Sequence, residues 1–440
     1  MENLNEIKIS ALKGDKLFNQ NTPIIINLNS PESESNEKKC NADLICVIDI
    51  SGSMDGEKIE LVRESLKILV EMMDKNDRLS LILFDNYASV YFPLNYMTEQ
   101  NKKDLIIKIE RIEARGGTNI LSGLEKAVEI IKLEKENTNE NRVSSILLLS
   151  DGCDNYSNDI QLSDSLKQLT KGLNLSFTLN TFGYGYDHDP KIMNKLANIR
   201  DGSFFLVEDY KKVAEYFVAV LGGCVSVISK KAELNVKLLN KNCKIIKIFG
   251  AENLYSYELK PEFFKTNLLQ FICGKEYTFV LEIYVDEKNV KIGDELLDIY
   301  FTYEDINQNN KSMTKNYKYK YELTDVQIVK ANEEYIRSQV YFVLDEALKL
   351  RKEYKNEEAK KLLLDIKDWL KNNYKGNNQC YLEDITKTIY LFKDEYTFQR
   401  KGCSYVSSNI REKISKRAGT NMIYKNNIQD NYSKKAQSYY

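Results

Sequence analysis

The feature that most constrains this chain is an alternation that begins at Ala42. Five predominantly apolar runs (DLICVIDI, RLSLILFD, SSILLLSD, LSFTLNTFGYG and GSFFLVED) are separated by stretches with apolar residues at helical spacing. A β-branched run without polar alternation is a strand covered on both faces, which is the habit of parallel sheets. The first intervening stretch, GEKIELVRESLKILVEMM, carries Ile59, Val62, Leu66, Leu69, Val70 and Met73 on one stripe. SVYFPLNY is assigned to an edge strand, because Pro93 has no N–H for a ladder. TEQNKKDLIIKIERI predicts a helix opening on a Thr98 cap, PKIMNKLANI one opening at Pro190, and YKKVAEYFVAVLGG one ending at Gly222. Strand and helix in this order predict an α/β, doubly wound sheet, whose sites lie where strands end at the carboxyl edge. The loops to inspect follow Ile48, Leu149 and Thr181, together with the GGTNI loop.

Both flanks read differently. Ile7–Leu12 and Pro23–Leu28 are strand-like but too few to form a sheet alone, and Ser33–Lys39 is a polar linker. From Ala232 to about Asp325, AELNVKLLN, CKIIKIFGAE, YTFVLEIYVDE, LLDIYFTYED and NYKYKYELTD alternate apolar and polar residues. That pattern predicts an antiparallel sandwich with one solvated side, and the N-terminal strands are assigned to it. Helical spacing returns at Val326: two helices meet at Lys355–Asn356, and YLEDITKTIYLFKDEYTFQRKG predicts a third. Residues after about Ser404 are polar and read as a partly disordered tail. The chain is thus expected to be multidomain. Residues 1–39 hold N-terminal strands and linker, 40–229 the α/β domain, 230–325 the sandwich, 326–403 helices and 404–440 the tail. The α/β domain is expected to be inserted into the all-β sandwich, with the α-helical region following.

Composition excludes several classes. With 63 Lys+Arg against 65 Asp+Glu the net charge is −2, so nothing draws the chain to nucleic acid in bulk. No apolar run is long enough for a membrane span, and MENLNEIKISALKGDK lacks a signal core, which predicts an intracellular, cytoplasmic protein. Eight cysteines without a CxxC pair read as reduced thiols and leave no framework for a zinc ribbon or RING. A single histidine, His188, excludes HExxH and His-pair chemistry.

The chemistry-bearing residues cluster at strand ends. Asp49, Ser51 and Ser53 stand at alternate positions just after a buried strand. Thr118 lies in Gly116-Gly117-Thr118-Asn119 before a helix, and Asp151 ends another buried strand ahead of Gly152. In a doubly wound sheet these segments converge on one edge. Two carboxylates and three hydroxyls form the all-oxygen set that a hard divalent cation takes. The ion also offsets two negative charges that would otherwise repel. Gly52 is read as the residue that permits the turn. Asp55 and Asp154 are read as helix caps or outer acceptors, and His188 as a cap for the helix at Pro190; Asp154 and His188 are also assigned to a partner-contacting rim.

On these residues the sequence resembles a von Willebrand factor type A domain with a metal-ion-dependent adhesion site. Asp-x-Ser-x-Ser, a distant Thr and a distant Asp in an (S/T)-D-G loop occur here in order as Asp49, Ser51, Ser53, Thr118 and Asp151. The resemblance covers about residues 42–225 and implies a Rossmann-like fold. It also implies Mg²⁺, with Mn²⁺ or Ca²⁺ as substitutes, bound by those five residues, Thr118 and Asp151 acting directly or through water. It further implies a protein partner whose Glu or Asp completes the shell, with no catalysis. The layout is also similar to plant and ciliate-type proteins related to RING-bearing ubiquitin ligases. A substrate-binding adaptor in a ligase or other intracellular assembly is therefore an alternative, although no RING is present here. A metal-dependent phosphoryl-transfer enzyme is a weaker one, because Ser51 stands where haloacid-dehalogenase-type phosphatases need a second Asp and no P-loop occurs.

Overall fold

The computed structural model describes residues 7–30, 40–137, 142–171, 177–185, 190–207, 210–249, 256–268, 270–305, 309–319, 324–374, 376 and 378–415. They fall into two compact units. One takes the described residues up to 30, those of 231–268 and those of 274–415; the other takes those of 40–230 and 270–273.

The chain opens with β1 (Lys8–Lys13) and β2 (Thr22–Asn29), which pair antiparallel. The second unit then begins with β3 (Asn41–Asp49), α1 (Glu57–Met72), β4 (Arg78–Phe84), β5 (Ala88–Tyr96), α2 (Glu99–Ile109) and α3 (Ile120–Asn137). It continues through β6 (Arg142–Ser150), α4 (Asp159–Thr170), β7 (Phe177–Tyr184), α5 (Pro190–Ile199), β8 (Phe204–Val207) and α6 (Tyr210–Val225). The sheet order is β5-β4-β3-β6-β7-β8, parallel throughout except for β5, which runs antiparallel to β4 at the edge. From β3 the chain first moves to β4 on one side and later to β6 on the other. The order therefore reverses between β3 and β6, and the loops leaving those strands lie together at the carboxyl edge of the sheet.

Burial explains why these runs became strands. Ala42–Asp49 are all buried, because helices cover both faces of β3. Ile45, Val47, Ile146, Leu148 and Leu179 pack against Leu124 and Val128 of α3, Leu162 and Leu166 of α4, and Met193 and Leu196 of α5. On other aromatic seams, Phe182 lies 5.0 Å from Phe205 and 5.1 Å from Phe217 of α6. Thr98 caps α2 as expected, accepting from the Asn101 amide. Helix α6 runs past Gly222 to Val225, because Leu221, Cys224 and Val225 are buried and outweigh the poor helix propensity of two glycines.

The first unit adds two antiparallel sheets. Its strands are β9 (Val227–Leu238), which begins in the other unit, β10 (Cys243–Phe249), β11 (Ser256–Lys260) and β12 (Phe263–Leu268), whereas the two-residue β13 (Phe271–Ile272) belongs to the other unit. β14 (Glu276–Val285), β15 (Glu295–Asp305) and β16 (Asn310–Lys318) follow. One sheet has the order β1-β2-β14-β10; the other is β11-β12-β9-β15-β16, with β13 also on β9. Thus β2 pairs with a strand from beyond residue 230, in a register running from Asn29↔Glu276 to Thr22↔Ile283, and carries β1 on its other edge.

The remaining elements are helical. Helix α7 (Asp325–Lys352) starts on a Thr324 capping box and lays Ala331 and Tyr335 against Leu12, Ile25, Phe249 and Val280. After α8 (Asn356–Asn373) and α9 (Gln379–Leu391) the structure departs from the third helix read from the sequence. That helix stops at Leu391, and a single turn, α10 (Glu395–Thr397), restarts on an Asp394 cap. A π-helical turn, Phe398–Gly402, then leads into α11 (Cys403–Ser415). Residues 404–415 are therefore helix rather than tail: Val406 and Ile410 are buried in the same cluster as Val340 and Leu344. Residues 416–440 lie outside the described residues. Among the described residues, no helix is long and apolar enough to cross a membrane.

Candidate metal centre

Asp49 is the last residue of β3, and Asp151 follows the last residue of its neighbour β6. Both are fully buried; Ser51 and Thr118 are also buried, and Ser53 is exposed. Backbone bonds stitch the loops that carry them. The Ile50 amide donates to Phe84 O (2.9 Å), the Gly52 amide to Gly116 O (3.0 Å), and the Arg115 amide to Ile50 O. The turn does not rest on Gly52, which lacks a positive φ. The demanding glycines are Gly116, at φ +76°, and Gly117, where a Cβ would come within 2.5 Å of Asn86 Oδ1.

The hydroxyls and carboxylates are arranged as follows. Ser51 Oγ and Ser53 Oγ are 3.1 Å apart. Asp49 Oδ1 accepts from the Ser51 amide (2.9 Å), and its Oδ2 accepts from the Ser150 hydroxyl (2.5 Å). That hydroxyl in turn accepts from the Gly152 amide (2.8 Å), which ties the β6 loop to the end of β3. Asp151 Oδ1 accepts from the Cys153 amide (3.3 Å), and Oδ2 lies 3.0 Å from Lys58 Nζ.

Thr118 is held by the β6–α4 loop. Its amide donates to Asn155 Oδ1 (2.7 Å), and its carbonyl accepts from the Asn155 amide (3.0 Å). Asp154 accepts from the Ile120 amide at the start of α3 (2.8 Å) and from the Ser157 and Tyr156 amides (2.7 and 3.2 Å). Its carboxylate is therefore a cap for α3, the first of the two roles read for it from the sequence. Asp55 caps no α-helix with its side chain: it closes a 3₁₀ turn, Gly52–Met54, and Gly56 holds the N-cap of α1. His188 lies outside the described residues.

Burial dominates the electrostatics of Asp49. Loss of water pushes its carboxyl up to about 6, against the pull of the Ser150 and Ser51 hydrogen bonds, and the nearby Asp151 charge adds to the rise. Among the described residues no cationic side chain bonds Asp49. Asp151 differs, since Lys58 answers its charge.

The donor set fits a hard divalent cation. Every candidate ligand is an oxygen, and the Ser51–Ser53 hydroxyl separation is close to the ~3.0 Å edge of an octahedron with metal–oxygen distances near 2.1 Å. Among the described residues no group of three or more His, Cys, Asp or Glu comes together to hold a metal, so a nitrogen or sulfur site for zinc has no basis here. The sequence reading missed Lys58, Ser150 and Asn155. One signal pointed to Lys58: a cation in the first turn of a helix opposes the helix dipole, so it needs an acid nearby.

The comparison with known families bears on the fold of this part of the chain. Residues 43–218 match the family model described as the von Willebrand factor type A domain. This part of the chain is a von Willebrand factor type A domain. Such domains generally serve as protein-interaction modules. The chain is 28% identical to an uncharacterized protein of Synechocystis sp. over 186 residues, 42% of each protein. It is 32% identical to inter-alpha-trypsin inhibitor heavy chain H2 of Sus scrofa over 164 residues, 36% of this chain and 17% of that one. The match thus spans under half the length of either curated relative. Among solved structures, a von Willebrand factor type A protein from Catenulispora acidiphila superposes with a TM-score of 0.66 at 15% identity, covering 94% of this chain and 96% of that one. The ArnB paralog VWA2 from Sulfolobus acidocaldarius gives 0.57 at 17% identity, covering 94% and 99%. At these identities the likeness concerns fold alone.

Proposed function

We propose that the carboxyl edge of this type A domain binds Mg²⁺, with Mn²⁺ or Ca²⁺ as substitutes, through Asp49, Ser51, Ser53, Thr118 and Asp151. A Glu or Asp of a partner protein would complete the coordination, making the chain a non-catalytic, metal-dependent interaction module. The observation that carries this reading is Asp49: a buried carboxylate at the switch point of the sheet, met only by amide and hydroxyl donors. When bound, the ion supplies positive charge and a Lewis-acidic position that a carboxylate can fill. The chain's own residues orient the set. Ser150 holds Asp49, and Asn155 holds Thr118 from behind.

Support for a non-catalytic role comes from Ser51, which stands two residues after Asp49, where a haloacid-dehalogenase-type phosphatase would need a second Asp. Titration calorimetry with Mn²⁺ tests the proposal. Wild type is expected to bind with one-to-one stoichiometry, and Asp49→Ala and Asp151→Ala to lose binding. Equal affinity in all three proteins would remove the reading.

A further inference from the structure

The two carboxylates of the site are equally buried but differently answered. Asp49 receives only neutral donors. Asp151 receives Lys58, whose ammonium lies 3.0 Å from Oδ2, with the carboxylate at 0% exposure and the lysine side chain at 16%. Lys58 is the second residue of α1, a helix of 16 residues. At that position the unpaired amides and the positive end of the helix dipole disfavour a cation. An ammonium held there against the dipole points to a specific attraction, and Asp151 supplies it.

We infer that Lys58 sets both the cation affinity and the net charge of the site, by occupying Asp151 Oδ2 as a resident monovalent competitor. This rests on the metal reading above. The two carboxylates and this ammonium together carry a single negative charge, which a divalent ion converts to a single positive one. Without the ammonium, the same two carboxylates carry a double negative charge and the loaded site is neutral. Lys58 therefore weakens the hold on the ion and leaves the loaded edge net positive, the sign that favours an acidic partner over a neutral one. In the ion's absence the same residue stabilises the edge, because it answers a carboxylate that burial would otherwise penalise.

The test uses the full chain with Mn²⁺ alone as probe, in wild type, Lys58→Met and Lys58→Arg. Calorimetry reads affinity, and thermal melting in EDTA and in Mn²⁺ reads the edge directly. Lys58→Met is expected to bind Mn²⁺ roughly tenfold more tightly than wild type, since a repelling charge within a few ångströms is removed. In EDTA it is expected to melt below wild type, and its gain in melting temperature on adding Mn²⁺ to exceed the wild-type gain. Lys58→Arg, which keeps the charge, is expected to stay within about threefold of wild type. A merely structural lysine would lower melting in both conditions and leave affinity unmoved. Lys58→Gln repeats the measurement with a polar side chain if the Met variant does not fold. Equal or weaker Mn²⁺ binding by the uncharged variants, beside a wild type that binds, overturns this inference and leaves the metal reading standing. No Mn²⁺ binding by wild type or any variant overturns both.

Discussion

Strand β3 carries a buried aspartate at each end, and the chain treats the two in opposite ways. Asp43, near the amino end, is clasped by Arg78 through Nε and Nη2 at 2.9 and 2.7 Å, and by Arg142 Nε at 2.6 Å. Arg78 reaches on to Glu134 at 2.8 Å, and Arg142 to Ala42 O and Asn76 O at 3.1 and 2.7 Å. The ring of Tyr96 lies 5.8 and 5.5 Å from the two guanidiniums. The Asp43 hydrogen bonds hold the Arg78 guanidinium well above its usual range. Asp49, at the carboxyl end, is no less buried, but its partners are neutral amide and hydroxyl donors. At one end the chain closes its own charge balance. At the other it leaves a charge to be answered from outside. A buried carboxylate paired within the chain serves the fold, whereas one met by neutral donors has an unmet demand that a ligand can fill.

The largest effect is expected at the closed end. Asp43→Ala removes the carboxylate that two buried guanidiniums share and should cost about 3 kcal/mol or more in urea unfolding, with no dependence on Mg²⁺. Asp49→Ala should behave differently. In chelator it is expected to stay within about 1 kcal/mol of wild type, because the lost hydrogen bonds are offset by relief of a buried charge. At Mg²⁺ near one hundred times its dissociation constant, wild type should gain about 2.7 kcal/mol and Asp49→Ala nothing. If Asp49→Ala in chelator were as damaging as Asp43→Ala, the contrast between the two ends would fail.

Smaller effects sharpen the contrast. Asp154→Ala unpairs the Ile120 and Ser157 amides, and should cost about 1–2 kcal/mol while weakening Mn²⁺ binding through the loosened Thr118. Ser150→Ala should cost about 1 kcal/mol, and also lower Mn²⁺ affinity, since Asp49 loses a donor that fixes its orientation. Tyr96→Leu, which removes the ring beside both guanidiniums, should cost about 0.5–1 kcal/mol and leave Mn²⁺ affinity unchanged.

Much of this was legible because the signals are local and periodic. The run from Asp43 to Ile50 could only be a doubly covered strand, and Asp49, Ser51 and Ser53 were visible as alternate oxygens at its end. The run from Tyr381 to Gly402 misled, because helical spacing continues across Leu391 while Asp394 caps a new turn and Phe398–Gly402 widens into a π-turn. Residues 404–415 misled in the other sense, for a few buried side chains such as Val406 and Ile410 suffice to hold a mostly polar helix. β11 and β12 passed unnoticed as a pair because SYELK and FFKTNL are short, and their partners are set by register rather than by pattern. Asp154 was read as a helix cap or outer acceptor, but which helix it caps was hidden, because α3 starts 34 positions earlier in the chain.

The amino-acid order alone determined the alternation of strands and helices, and hence that loops after β3 and β6 share an edge. Hydrophobic periodicity reports which face of each element must leave water, and oxygen-bearing residues at strand ends need only be read off. The tertiary structure alone decided which charges are answered. That Asp43 meets Arg78 and Arg142, that Lys58 reaches Asp151, and that Asp49 receives only neutral donors all follow from distances between segments 35 to 101 positions apart in the chain. Electrostatic energy depends on separation and on exclusion of water, and neither quantity is written in a linear order of residues.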